Sequence, residues 1–215
     1  MKPGNDISHI RKEYRMSSLL ESDVDADPVL QFRAWWQAAK DSEIDEPNAM
    51  TLATCADGKP RSRIVLLKGI KENGFLFYTN YDSNKGKEIA SNASVSLVFF
   101  WKELERQVRI EGLAEKTSSQ ESDGYFSYRP RQSQVGAWSS PQSEVINDRE
   151  ILEKNVVYYN NKFGTEDVPR PGNWGGYIIH PSLIEFWQGR PGRLHDRLQY
   201  SIDEQKKWKI ERLAP

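Results

Sequence analysis

Cysteine is almost absent. Cys55 stands alone among 215 residues, which excludes an intrachain disulfide framework and fits a reducing compartment. Long apolar runs are missing too: no stretch approaches the roughly 18 uninterrupted apolar residues of a membrane span, and the opening MKPGNDISHIRKEY has no run of signal-peptide length. A soluble, cytoplasmic protein is therefore expected. Neither sign of charge predominates, since 30 Lys and Arg face 31 Asp and Glu. That balance gives no general attraction to nucleic acid or an anionic membrane, so any anion site has to be local. Several catalytic signatures are also lacking. No G-x-G-x-x-G follows a strand-like run, Gly86-Lys87 leads into Glu88 rather than the Ser or Thr of a P-loop, and no serine sits in G-x-S-x-G. His9, His180 and His195 have no partner at metal-ligand spacing, so no metal is expected.

What is present reads as mainly β. The polar residues 1–26, with one short helical pattern around Ser8–Tyr14, are expected to form a mobile segment ahead of a single domain over 27–215. Asp27 before Pro28 has the form of an N-cap and first helical residue, and Val29, Phe32, Trp36 and Ala39 follow at helical spacing. Short β-rich runs then dominate: AMTLAT, RSRIVLLKG, FLFYTN, VSLVFFW and RQVRIEGLAEK. Asp57-Gly58 and Asn73-Gly74 supply hairpin turns, and a short helix over Asn84–Asn92 interrupts the meander. Ser118 and Glu121 form a capping box for a helix ending at Arg129-Pro130, and Asn147 with Glu150 suggests a second box before a helix carrying Leu152, Val156, Tyr159 and Phe163 on one face. WGGYIIH, IEFWQ, LHDRLQY and WKIERLA read as further short strands. The pattern favours a barrel of antiparallel strands with surrounding helices over a parallel α/β sheet.

Three stretches could carry chemistry. In RSRIVLLK both alternating faces are largely apolar, so a strand buried on both sides should carry Arg63 and Lys68 only if each has a partner; the plain alternative is that each emerges at a strand end. YTNYDSNKGKE and YFSYRPRQSQVGAWSSPQS offer hydroxyls, amides and cations near helix ends, where an anion is favoured, although solvated loops share this composition. In RLHDR, alternation puts Arg193, His195 and Arg197 on one face. Flanking arginines predict a His195 that is neutral near pH 7, while an exposed barrel edge guarded by charge is the competing account. Trp187 and Gln188 suit a flat heteroaromatic ligand, and a core tryptophan is the alternative.

Taken together, RIVLLK, FYTN followed by SNK, LERQV, YFSYRPRQSQVGAW, PQS, WGG, IEFWQG, RLHDR and WKIERLAP resemble the pyridoxamine 5′-phosphate oxidase family in order and spacing, from about Ile10 to Pro215. The resemblance implies a homodimeric FMN-binding split β-barrel with FMN at the subunit interface. It implies FMN contacts from Arg63, Ile64, Val65, Leu66, Leu67, Lys68, Tyr78, Thr79, Asn84, Lys85, Gln107, Gln142, Ser143, Trp187 and Arg197. It also implies that Lys68, Tyr125, Arg129 and Ser133 hold a substrate phosphate while Arg193 and His195 face the ring and act in catalysis. The implied reaction is oxidation of pyridoxamine or pyridoxine 5′-phosphate to pyridoxal 5′-phosphate, with O2 as acceptor and H2O2 as product. At Asn84 the family commonly has arginine, so weaker FMN retention is expected. The segment Arg11–Tyr14 resembles an element that closes over substrate. A related flavin oxidase acting on another ring, or a non-catalytic FMN or pyridoxal-phosphate binding protein, are the alternatives to this reading; a nucleic-acid binder ranks last.

Overall fold

A computed structural model describes Ser8, residues 12–71 and residues 74–215. Five helices and nine strands account for most of that chain: α1 (Pro28–Asp41), β1 (Ala49–Ala56), β2 (Lys59–Leu66), β3 (Gly69–Lys71), β4 (Gly74–Asn80), α2 (Asn84–Ser91), β5 (Ser94–Trp101), β6 (Arg106–Lys116), α3 (Ser119–Ser127), α4 (Arg131–Ser139), α5 (Glu150–Phe163), β7 (Trp174–Gln188), β8 (Asp196–Ile202) and β9 (Trp208–Arg212). No helix of the described residues is long and apolar enough to cross a membrane. Hydrogen bonding joins the strands in the order β2-β1-β5-β6-β7-β4-β3, with β8 beside β7 and β9 beside β8. The antiparallel sheet and its flanking helices match the expected architecture, and the path of pairing is open rather than closed on itself.

Local chemistry explains the element boundaries. Asp27 accepts the Val29 amide at 2.8 Å and Pro28 occupies the first turn of α1, satisfying an end that would otherwise leave donors free. The β1–β2 hairpin places Asp57 (φ 53) and Gly58 (φ 68) in the left-handed region, as a two-residue turn of matching twist requires. Ser118 accepts the Glu121 amide at 3.1 Å to open α3.

Several expectations need correction. On α1 the deeply buried aromatics are Phe32 and Trp35, whereas Trp36 stays half-buried, stacked on Phe32. At α5 the Ile151 amide is accepted by Asp148 rather than by Asn147, and only Phe163 of its predicted apolar face is fully buried. WGGYIIH and IEFWQ form one 15-residue strand, β7. Pro181 does not break it because it falls between the stretch paired with β4 and the stretch paired with β8, where its missing N–H is tolerated. The helix α4, which follows Pro130 directly, had no counterpart in the sequence reading. Of the helical pattern proposed over Ser8–Tyr14, Lys12–Tyr14 are not helical and most of the rest lies outside the described residues; the Asn73-Gly74 turn also falls partly outside them.

The chain divides into two compact units. One comprises the described part of Met1–Pro47 with Val98–Ile110 and Ser182–Pro215. Its core is aromatic: Phe32 lies 5.1 Å from Phe99 and Trp35 5.1 Å from Phe186, with Trp101 and Tyr200 buried beside them. Their polar tips are satisfied, Trp101 donating to Pro47 and Tyr200 to Asp25, as buried indole and phenol groups require. The other unit comprises Asn48–Leu97 and Glu111–Pro181. Within it Phe126, Val135, Phe163, Val168 and Trp174 form a core that Tyr78, Tyr125 and Trp138 extend.

Candidate active site

Four of the residues singled out from sequence converge in the second of these units. Lys68 follows β2, Tyr125 and Arg129 come from the end of α3, and Ser133 sits in the first turn of α4. Together with Tyr78 and Trp174 they line a pocket of about 330 Å³. Its wall is a ladder of flat rings: Tyr78 and Tyr125 stack at 3.8 Å with planes 5° apart, and Trp174 lies parallel 5.6 Å from Tyr78. The Arg129 guanidinium rests 4.5 Å over the Trp174 ring. Its Nη1 is buried and has no hydrogen-bond partner. Burial disfavours the charge on Arg129, yet a guanidinium keeps its proton in a protein, so a cation stands here with a donor to spare. Lys68 is exposed on the same rim. Burial also pushes the Tyr78 phenol up to about 12 and raises that of Tyr125, so both remain hydrogen-bond donors.

The same unit carries a cluster at the start of α2. Ser83 caps that helix by accepting the Gly86 amide. Lys85 donates to Thr79 (3.2 Å) and Ser83 (3.3 Å), and Thr79 donates to Gln142 (3.3 Å). Beside them the buried carboxylate of Glu88 takes hydrogen bonds from Thr54 and from Arg63 (2.8 Å), with Arg61 at 3.3 Å. Arg61 and Arg63 therefore share one carboxylate, and Lys85 feels the charges of both Arg63 and Glu88 without pairing with either. Lys85 shows the imbalance: burial first, then the Arg63 charge, makes its ammonium more acidic than an ordinary lysine. Asn84 is exposed beside it, and Ser143 holds an exposed left-handed conformation (φ 74).

The expectation that RSRIVLLK is buried on both faces is not met. β2 ends the pairing path and most of it is exposed, with Ile64 at 64% and Val65 and Leu66 only half-buried; Leu67, just past it, is buried. Arg63 reaches its partner by folding back across β1 to the Leu52 carbonyl and Thr54, a route invisible in the strand pattern.

The unit built on Ser182–Pro215 holds the rest. Trp187 closes β7 and lies 4.6 Å from the His195 ring, with Tyr14 in edge contact with both. The Arg190 amide donates to His195 Nδ1 at 3.1 Å, so the neutral imidazole carries its proton on Nε2. Burial, then the charge of Arg193, lowers the pKa of His195. The neutral form was expected from the arginines alone; burial is the larger cause. A pocket of about 490 Å³ is lined by Lys12, Tyr14, Arg190, Arg193 and His195.

The predicted strip of Arg193, His195 and Arg197 is not a strand face. Arg193 ends a turn with φ 63, and β8 begins only at Asp196. Arg197 instead binds the buried carboxylate of Glu185 through two contacts, 2.8 and 3.1 Å, while Arg109 holds the same carboxylate at 3.0 Å. Gln107 lies half-buried on β6. Glu88 and Glu185, which hold Arg63 and Arg197, were not found from sequence. A buried arginine demands a carboxylate, but nothing in linear order says which.

A family model described as pyridoxamine 5′-phosphate oxidase matches residues 37–163. The chain belongs to that family. A second model, described as the pyridoxine 5′-phosphate oxidase C-terminal dimerisation region, matches residues 174–215, and so covers β7, β8, β9 and the residues Trp187, Arg190, Arg193 and His195. A protein of Salinibacter ruber named pyridoxine/pyridoxamine 5′-phosphate oxidase is 53% identical over 97% of this chain and 99% of its own length. One of the same name from Cupriavidus pinatubonensis is 51% identical over 97% of this chain and 99% of its own. Among solved structures, PhzG from Burkholderia lata, in complex with tetrahydrophenazine-1-carboxylic acid, superposes with a TM-score of 0.87 at 30% identity, covering 93% of this chain and 99% of that one. A Nostoc punctiforme protein described as FMN-binding and related to pyridoxamine 5′-phosphate oxidase shares the fold, with a TM-score of 0.71 at 17% identity over 89% of this chain and all of that one.

Proposed function

We propose that this chain is an FMN-dependent oxidase that converts pyridoxamine or pyridoxine 5′-phosphate to pyridoxal 5′-phosphate. The observation that carries the reading is the buried, unpartnered Nη1 of Arg129 in a pocket walled by Tyr78, Tyr125 and Trp174. Leaving such a donor unsatisfied costs about 1–3 kcal/mol, and a phosphate dianion removes that cost. Lys68 supplies a second positive charge and Ser133 a hydroxyl donor. Binding a remote phosphate in this way fixes the reacting carbon through a group that takes no part in the reaction.

The residues present also fit FMN. Around α2, three cations oppose one carboxylate, an arrangement suited to a second phosphate, with Thr79, Gln142 and Ser143 supplying polar groups nearby. When bound, FMN supplies the two-electron acceptor that no amino-acid side chain provides, with O2 reoxidising it to yield H2O2. Glu88 and Glu185 hold Arg63 and Arg197 in fixed orientations, so neither arginine has to be ordered on binding. Neutral His195 presents an Nε2–H donor, and Arg193 a charge, to the oxygen of the pyridine ring. These two groups would stabilise the phenolate as one hydride leaves carbon 4′ and the attached alcohol or amine gives up a proton. Two copies of the chain assemble as a homodimer with FMN between them, a reading supported by the dimerisation-region match over 174–215.

The similarity to PhzG favours one rival, oxidation of a phenazine-type ring. Relatives above 50% identity bear the B6-vitamer name instead, and a carboxylated polycycle leaves the Arg129 and Lys68 pair without its dianion. Oxygen uptake with pyridoxine 5′-phosphate, pyridoxine and a dihydrophenazine carboxylate separates the readings. Turnover confined to the phosphorylated vitamer supports the proposal; turnover of the phenazine alone overturns it.

A further inference from the structure

Glu105 has a conformation and a burial that the loop it occupies does not require. It lies between β5 and β6 with φ 54, in the left-handed region, and is only 2% exposed. A glutamate in that backbone conformation carries strain of about 1 kcal/mol or more, a cost that persists where the surroundings need the residue. What it holds is the segment Lys12–Met16. Oε2 accepts the backbone amides of Arg15 at 2.8 Å and Met16 at 3.0 Å, and Oε1 faces Lys12 Nζ at 3.5 Å. Its own carbonyl accepts the Gly189 amide at 2.8 Å and the Gln188 side chain at 3.2 Å. One residue therefore ties the segment around Tyr14 to the end of β7, immediately after Trp187.

The fit on the other side is close. Tyr14 meets Trp187 edge-on at 5.6 Å and His195 at 5.9 Å. A Cβ placed on Gly189 would come within 2.7 Å of the Tyr14 side chain, so the ring can seat there only because residue 189 has none. Residues 12–19 form no helix or strand, so backbone pairing within a regular element does not hold them. The anchor has to come from elsewhere.

We propose that Glu105 is a positioning residue for the His195 pocket: its buried carboxylate clamps the Arg15–Met16 backbone and so holds Tyr14 as one wall. It touches no reacting atom. Its effect is to have that wall assembled before substrate arrives, and substrate binding is then spared the ordering of the segment. The kinetic part of this rests on the oxidase reading above; the anchoring itself does not.

Tryptic cleavage after Arg15 tests the anchor directly, because the amide of that peptide bond is one of the two that Glu105 holds. Opening precedes cleavage, so the rate follows the open population. Glu105→Gln weakens two charge-assisted hydrogen bonds and should speed cleavage by roughly tenfold or more in the otherwise intact chain. Glu105→Gly is the second variant. It relaxes the left-handed backbone and keeps the carbonyl that Gly189 and Gln188 use, so it should stay folded and be cleaved faster still. In turnover, KM for pyridoxine 5′-phosphate should rise by about tenfold in Glu105→Gln with kcat changed by less than about twofold. Tyr14→Ala should raise KM comparably, and the double variant should be no worse than either, since both remove the same wall. Unchanged cleavage in both Glu105 variants, or KM effects that multiply in the double variant, overturns the proposal. Loss of all activity in the unmodified protein would instead sink the oxidase reading and leave the cleavage result standing.

Discussion

Replacing Arg129 by methionine should separate function from stability in an unusual direction. Methionine keeps an unbranched stem, but the guanidinium that lies over the Trp174 ring, with its buried, unpartnered Nη1, is gone. Removing an unsatisfied buried donor returns about 1–3 kcal/mol, and losing the cation over the Trp174 face takes back about 0.5–2 kcal/mol. Stability should therefore stay within about 1 kcal/mol of the parent or improve, a melting-temperature change of roughly 4 °C or less for a chain of this size. Activity should respond quite differently. One or two charge-assisted hydrogen bonds to a phosphate are worth about 3 kcal/mol together, which is about a hundredfold in kcat/KM for pyridoxine 5′-phosphate. Most of the loss should appear in KM, because the phosphate is held alike in the ground and transition states. Differential scanning calorimetry and steady-state oxygen uptake measure the two quantities on one preparation. A variant that melts far lower while keeping kcat/KM within about threefold would refute the reasoning, because Arg129 would then be a structural cation rather than an anion receptor.

Other expectations are equally open to measurement. Arg63→Met leaves the Glu88 carboxylate, 6% exposed, with Thr54 and the more distant Arg61; denaturant unfolding should show a loss of about 3 kcal/mol, and adding Glu88→Gln should recover part of it. Burial alone would raise the pKa of Glu88, but the Thr54 and Arg63 hydrogen bonds and the two guanidinium charges outweigh it, so the net shift is downward. That contribution to stability is present above the ordinary glutamate pKa and is lost as pH falls through the lowered folded value, so Arg63→Met should unfold at a higher pH on acid titration. His195 should titrate below the ordinary imidazole value by NMR, and Arg193→Ala, by removing the second of its two causes, should move it upward without restoring it fully. Asn84→Arg adds a charge beside Lys85 at the start of α2 and should tighten FMN binding by about tenfold in a fluorescence titration; no tightening would show that this position does not face the flavin phosphate.

The strands, the α1 cap, the Asp57-Gly58 turn and the α3 capping box were legible because each is written in adjacent residues: alternation, a side-chain oxygen two or three residues before the amide it accepts, a pair of residues tolerant of positive φ. The set Lys68, Tyr125, Arg129 and Ser133 came from family resemblance, and its meeting in one pocket depends on the β2–β3 link, α3 and α4, of which α4 was missed. RLHDR misled because alternation says nothing where the chain turns: the left-handed Arg193 breaks the period, and Arg197 is captured by Glu185 from the neighbouring strand. β7 was read as two strands because Pro181 signals a break; register shows it falling where no ladder bond to β4 or β8 is lost. Glu88, Glu105 and Glu185 were invisible for one reason. A buried carboxylate looks like any surface glutamate until the sheet brings it to its arginine or its amides, and Glu88 to Arg63 alone spans 25 residues.

The most direct test of the account is the visible spectrum of the purified protein loaded with FMN, followed anaerobically as pyridoxamine 5′-phosphate is added. Bleaching of the flavin band, its return on admitting air and the appearance of pyridoxal 5′-phosphate in the same cuvette are the predicted result. A flavin band that stays unchanged with both the amine and the alcohol phosphate would contradict the proposed oxidation of a phosphorylated pyridine.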